Sequence, residues 1–215
     1  MKQLIRVIII LWFKKEATKA APTILINHYD GQEIREIIKG FWKKYLLLKK
    51  ELPVMPTLGG AITIRLAAMS RAFHEELTER NQKEIVIAQL FYQIGWVIYQ
   101  KMGKFSWSLT RLSGKNEHHR LLKATQLFRK FPFNEPEYKW ENVETSDNII
   151  GFNCTKCPVA EYFVEHDLSD FCTKTWCALD FPIAELWNAK LERTGSIASG
   201  AMKCDFRWIS KAVNT

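Results

Sequence analysis

The stretch NIIGFNCTKCPVAEYFVEH, Asn148–His166, decides how the chain is read. Its first six residues are a strand pattern, and Pro158 sits where a helix would have its first residue, a position at which the missing N–H costs nothing. Cys154 and Cys157 lie at the junction, and Cys172, Cys177 and Cys204 follow within fifty residues. Up to FPFNEPEY the sequence is helical in texture, and from about Tyr138 it reads as short strands with helices between them.

Upstream, apolar residues recur at helical spacing. Ile34, Ile37, Ile38, Phe41, Tyr45 and Leu48 predict a helix from Gly31 to about Glu51, stopped by Pro53 and Pro56. A second helix starts after Leu58-Gly59-Gly60 and runs through RLAAMSRAFHEELTER. A third, KEIVIAQLFYQIGWVIYQKMG, is expected to end near Gly103 as a C-cap, and a fourth is NEHHRLLKATQLFRKF. Downstream, EYKWENVE alternates, a turn is expected over Thr145–Asp147, and PIAELWNAK forms another short helix. The expectation is an α+β fold: one domain over 1–215, mainly helical over 1–135, with a small antiparallel sheet packed by helices over 136–215.

The 215 residues are 47% hydrophobic, enough for a real core. Five cysteines, an odd number in a chain this long, do not suit a disulfide-framed secreted domain, so a reducing, cytoplasmic setting is expected. The apolar run Val7–Phe13 is too short to span a bilayer, which takes about 20 residues. It reads as the start of a packed helix or strand, with an interfacial anchor as the alternative. The net charge of +8 is scattered. Its densest cluster, Gly40–Lys50, falls on the solvated flank of the first predicted helix, so no nucleic-acid partner is expected. Neither the adjacent His118 and His119 nor His28 and His74 have neighbours that would specify a metal site.

The thiols allow three readings. A zinc ribbon wants two C-x2-C knuckles; Cys154–Cys157 supplies one, but Cys172 and Cys177 are spaced too widely for the second. A redox CxxC between strand and helix lacks its βαβ surroundings. A reactive cysteine suits Cys157, because a thiol at a helix N-terminus faces free N–H groups and the positive end of the dipole. Cys154 and Cys172 read as buried small hydrophobes.

The final segment, LERTGSIASGAMKCDFRWIS, predicts a hairpin. With Ser199-Gly200 as a two-residue turn, Ile197 faces Met202, Gly195 faces Cys204, Arg193 faces Phe206 and Glu192 faces Arg207. One face then carries Met202, Cys204, Phe206 and Trp208 together with Arg193, and Gly195 leaves room beside the Cys204 sulfur. The other face carries Asp205 and Arg207 opposite Thr194 and Glu192. An arginine on an apolar face needs an anion. Either a ligand carboxylate or a protein carboxylate such as Asp180 would serve.

On these residues the C-terminal third resembles the L-2-amino-thiazoline-4-carboxylic acid hydrolases. The resemblance lies in NCTKCPVAEYF, WCALD and ERTGSIASGAMKCDFRW. It covers Cys157; Cys177 and Asp180; Arg193 and Thr194; Gly200; and Cys204, Asp205 and Phe206. Leu58-Gly59-Gly60 is a weaker likeness. The ending is also similar to 4-vinyl reductase-type domains, which bind small ligands.

The resemblance implies opening, or in a drifted relative closing, of a carboxylated heterocycle with an electrophilic carbon between ring nitrogen and sulfur, and no cofactor. Cys157 is the expected nucleophile, with Cys177 its rival and Cys204 nearby. Asp180 is the expected base, and Arg193 the bidentate grip on the substrate carboxylate. Thr194 and Asp205 are candidate substrate contacts. His166 is either an added base or a packed side chain. The expected partner is a small carboxylated molecule, and self-association is compatible with the sequence. The alternatives are a non-catalytic ligand-binding module and a metal–thiolate protein using Cys157, Cys177 and Cys204.

Overall fold

The computed structural model describes residues 2–113, 116–145 and 148–211, with side chains described from Val7 onward except at 112 and 113. Five helices come first: α1 Lys2–Leu25, α2 Gly31–Leu48, α3 Leu58–Glu79, α4 Glu84–Leu109 and α5 Glu117–Lys130. Strands β1 Lys139–Val143 and β2 Ile149–Lys156 follow. Then come α6 Pro158–Val164, α7 Ser169–Lys174, α8 Asp180–Leu186, β3 Ala189–Glu192 and β4 Cys204–Ser210. The four strands form one antiparallel sheet in the order β1-β2-β4-β3. The fold is α+β. Part of the turn expected over Thr145–Asp147 lies outside the described residues.

Helix α1 packs on α4 and α2 on α3. The opposite side of α3 and α4 meets α6, α7 and α8. No helix among the described residues is long and apolar enough to cross a membrane. The apolar run near the start belongs to α1, where Phe13 is buried while Val7, Ile8 and Leu11 stay about half exposed. In α2, Asp30 caps the first turn and Glu33 completes a capping box. Ile34, Ile37, Tyr45 and Leu48 are buried as their spacing predicts. The helix stops three residues before Glu51, because Lys50 and Glu51 bond back to Leu47 and Leu48 in a tightened last turn. Of the lysines beside it, Lys44 pairs with Glu79 at 2.6 Å and Glu76 at 3.4 Å.

Two glycines set how closely elements approach. Helix α4 does not end at Gly103; it continues to Leu109. A Cβ at Gly103 would lie 2.5 Å from the Ile183 side chain of α8, and its carbonyl accepts Trp187 Nε1–H at 3.0 Å. Glycine serves close helix packing there, not capping. Gly59, at the start of α3, is tighter still: a Cβ would meet the Pro132 carbonyl oxygen at 2.2 Å. Backbone cannot yield cheaply. Gly59→Ala is therefore expected to destabilise the protein by about 1–3 kcal/mol despite alanine's higher helix propensity, read as a lower midpoint in urea; an unchanged midpoint would contradict this packing. Beside it, Thr57 caps α3, and Glu137 accepts both the Thr57 N–H (2.7 Å) and its hydroxyl (3.0 Å).

The β3–β4 register agrees with the one counted from the expected Ser199-Gly200 turn at Glu192, which faces Arg207, while the pairings expected at Arg193, Gly195 and Ile197 are not part of the ladder. That tight turn does not form. Strand β3 ends at Glu192, and the chain loops through a 3-10 turn at Ile197–Ser199 before β4. The Asp205 carboxylate causes the departure. It accepts Thr194 N–H (3.0 Å), Gly195 N–H (2.9 Å) and the Thr194 hydroxyl (2.6 Å), replacing ladder bonds beyond Glu192. Gly200, at φ 88°, closes the loop in the left-handed region. Met202, expected on the apolar face, is 95% exposed for the same reason. Ile150, Phe152 and Cys154 of β2 lie opposite Trp208, Phe206 and Cys204 of β4, giving the sheet one buried face.

Candidate active site

A cavity of ≈ 240 Å³ is bounded by side chains from α1 to α4 on one side and from the sheet, α6 and the α7–α8 connection on the other. Cys154, Cys157, Cys172, Cys177 and Cys204 all line it, and all are free thiols. Asp180 and Arg193 are the charged residues among those lining it. Positions far apart in sequence thus meet at one hollow, including Cys154 and Cys172, which the sequence suggested were only filler.

Each thiol's chemistry follows from its surroundings. Cys157 is the N-cap of α6, where its sulfur accepts Ala160 N–H at 3.5 Å. That bond favours the thiolate, as the sequence led one to expect, but burial outweighs it and pushes the Cys157 thiol well above its ordinary range. Burial also raises Cys154, whose sulfur donates to the Lys156 carbonyl at 3.1 Å. It takes Cys204 up to about 11, although that sulfur accepts Ile197 N–H at 3.3 Å. Cys177 runs the other way. The neighbouring Cys172 thiol lowers Cys177 against its burial and the Asp180 charge, with Arg193 adding to the fall, and the same pairing raises Cys172.

Cys172 and Cys177 line the same cavity because α7 ends at Lys174 and the chain soon enters a 3-10 turn over Cys177–Leu179. Trp176, between them, anchors this connection to α3 by donating to Ser70 Oγ at 3.0 Å. At neutral pH, iodoacetamide should therefore alkylate Cys177 first, with the other thiols slower. Fastest labelling of Cys157, read by peptide mass spectrometry, would contradict this ordering.

Asp180 opens α8. Burial raises its carboxyl to about 6, with Arg193 pulling against the rise. About a fifth of the side chain (21%) is accessible, at a position that lines the cavity. Arg193, 7% exposed, donates from Nη1 to Asp180 Oδ2 at 2.7 Å and from Nη2 to the Cys177 carbonyl at 3.0 Å. Its guanidinium also lies 5.2 Å from the Phe181 ring and 5.4 Å from the Phe206 ring. So the protein-carboxylate alternative weighed for the inward arginine is realised, and only part of the guanidinium is free for a ligand.

Three sequence candidates stand elsewhere. Thr194 and Asp205 bind each other behind Arg193 and do not line the cavity. His166 stacks on Tyr162 with ring centroids 4.4 Å apart, its Nδ1 2.6 Å from the Tyr162 carbonyl, also outside the cavity. Among the described residues, no group of three or more His, Cys, Asp or Glu is placed to hold a metal ion, so the metal–thiolate alternative finds no ligand set there.

Fold and cavity together define an α+β protein with a thiol-lined interior cavity. The sequence profile of the L-2-amino-thiazoline-4-carboxylic acid hydrolases matches residues 62–208, more than half of the chain, and the chain belongs to that family. No curated protein matches it. Among solved structures it is similar to a single-site mutant of the Fe(II) unliganded H-NOX protein from K. algicida, at 10% identity and a TM-score of 0.46 over 93% of this chain and 97% of that one. It is also similar to an H-NOX protein from S. oneidensis in the Fe(II)NO state, at 13% identity and a TM-score of 0.42 over 88% and 98%. Likenesses at TM-scores below 0.5 say nothing of a ligand or an activity here.

Proposed function

We propose that this chain is a cysteine-dependent hydrolase that opens a small carboxylated heterocycle such as an amino-thiazoline carboxylate, with Cys177 rather than Cys157 as nucleophile. The observation that carries the reading is the grouping of Cys172, Cys177, Asp180 and Arg193 on the cavity wall. In the proposed cycle the Cys177 sulfur bonds to the ring carbon between nitrogen and sulfur. The bond from that carbon to the ring sulfur breaks, and the sulfur leaves with the electron pair. Water then adds to the same carbon while Asp180 takes its proton as general base. The bond to Cys177 breaks and restores the thiolate. One water proton ends on the former ring nitrogen; the other, carried by Asp180, ends on the former ring sulfur. The product is a carbamoyl amine with a free thiol.

Arg193 would hold the substrate carboxylate. A guanidinium has five N–H donors, and the bonds to Asp180 and the Cys177 carbonyl leave some for a ligand. Thr194 and Asp205 would act behind it as positioning residues, since their mutual bonds fix the segment that follows Arg193. Cys204 and Cys157 would shape the cavity wall without bonding to substrate.

The test is to supply L-2-amino-thiazoline-4-carboxylate to the protein and follow the released thiol. Steady release is expected. The rate should fall as pH drops through about 6, because Asp180 then loses its base form. Asp180→Asn should be slow at every pH and show no such limb. Binding of the ring without thiol release would replace this reading with the non-catalytic ligand-binding one.

A further inference from the structure

The cavity is larger and more apolar than one polar ring requires. A water needs about 10–15 Å³ of such space, so ≈ 240 Å³ has room for roughly twenty water-sized groups. A five-membered ring with its amino group and carboxylate fills well under that. The polar end is compact: Cys177, Asp180 and Arg193, the last two neutralising each other. On the helical side the wall is Phe13 and Ala17 of α1, Phe41 and Trp42 of α2, and Leu66 and Met69 of α3. No charged side chain stands among the residues lining that side. An apolar hollow of this size is poorly hydrated, and apolar surface placed in it leaves water favourably. Uncharged hydroxyl residues also line the cavity: Thr18, Thr63, Ser70, Tyr99 and Tyr138. The Tyr138 hydroxyl is buried beside Thr63 without a hydrogen bond of normal geometry.

From this we infer that the ligand of the site is amphipathic: a small polar heterocycle seated at Cys177, Asp180 and Arg193, bearing an alkyl or aryl body that extends among α1, α2 and α3. The inference rests on the proposed function for where the ring sits, and on the cavity alone for the body. Small trimming residues, Ala17 and Ala21 of α1, keep that side open. The bare amino-thiazoline carboxylate then occupies only the polar end and leaves the helical side unfilled.

The experiment uses the intact wild-type protein and aromatic thiazole-4-carboxylates carrying ethyl through octyl chains at the carbon between nitrogen and sulfur. These rings have no amidine carbon to hydrolyse, so calorimetry reads binding alone. Affinity should rise about fourfold per added methylene while the chain is entering the cavity. Ala21→Trp should make the rise stop at a shorter chain. Affinity that is flat or falls with chain length in the wild type would overturn the inference. The two readings fail separately. Chain-dependent binding with no thiol release from any amino-thiazoline would sink the hydrolase and leave the amphipathic ligand. Turnover of the bare ring with flat affinities would do the reverse.

Discussion

Replacing Cys177 by alanine is expected to lower turnover of an amino-thiazoline carboxylate by at least roughly a thousandfold, because the covalent step loses its attacking atom. Cys157→Ala is expected to stay within about tenfold of wild type, since burial keeps that thiol protonated and a weak nucleophile. The contrast decides between the two. Both side chains line the cavity, both changes remove one sulfur, and both leave a similar gap. A general packing effect would cost the two variants alike. Thiol release measured under saturating substrate, with thiazole-4-carboxylate affinity as the control for an intact site, separates lost chemistry from lost binding. Cys172→Ala should fall between them, because it removes the neighbouring thiol that favours the Cys177 thiolate and leaves the nucleophile in place. A Cys157 variant as dead as the Cys177 one would return the role to the helix N-cap.

Arg193→Met is expected to cost the fold about 3 kcal/mol near neutral pH, since it strands a buried carboxylate. The pH dependence makes the attribution specific. Asp180 already has a folded-state value of about 6 against an ordinary 3.8. The fold thus binds that proton more tightly than the unfolded chain does. Its stabilising contribution is fully present below the ordinary value and is lost as pH rises through the folded one. Without the guanidinium the folded value climbs further, so the variant's deficit should be smallest near pH 4 and deepen toward neutrality. Urea unfolding at several pH values reads this directly. Adding Asp180→Asn to Arg193→Met should recover much of the loss, because no charge is left unpaired. A deficit independent of pH would mean that Arg193 stabilises through packing on Phe181 and Phe206 instead.

Helix α2 was legible in the sequence because its apolar residues keep one face and Pro53 and Pro56 stop the pattern soon after it. Strand β4 was legible from alternation, and its register against β3 was right even though the two-residue turn from which it was counted is a longer loop. The loop from Arg193 to Lys203 was not legible. Its course depends on one carboxylate, Asp205, capturing two backbone N–H groups, and nothing in residue order distinguishes that from a continued ladder. Gly103 misled for a related reason: a glycine that ends a helix and one that admits a neighbouring helix look the same until α8 is in place.

The inward arginine, Asp180 and the converging cysteines were within reach of the sequence, because strand faces and a known pattern pointed to them. The ranking of the thiols was not. A helix N-terminus is visible in sequence, whereas desolvation, which outweighs it at Cys157, is a property of everything packed around the sulfur. The neighbour that favours Cys177 is Cys172, five positions back in α7, and the course of the chain between them depends on Trp176 reaching Ser70. Cys172 therefore looked like filler.

The most direct measurement is to trap the covalent state. With Asp180→Asn the ring-opening attack survives while the water step, which needs the base, is slowed, so the sulfur-bound intermediate should accumulate. Mixing this variant with L-2-amino-thiazoline-4-carboxylate, quenching in acid and mapping peptides by mass spectrometry should reveal the mass of the intact substrate added to Cys177. The same adduct on Cys157, or substrate consumed with no cysteine modified at any time point, would contradict the account.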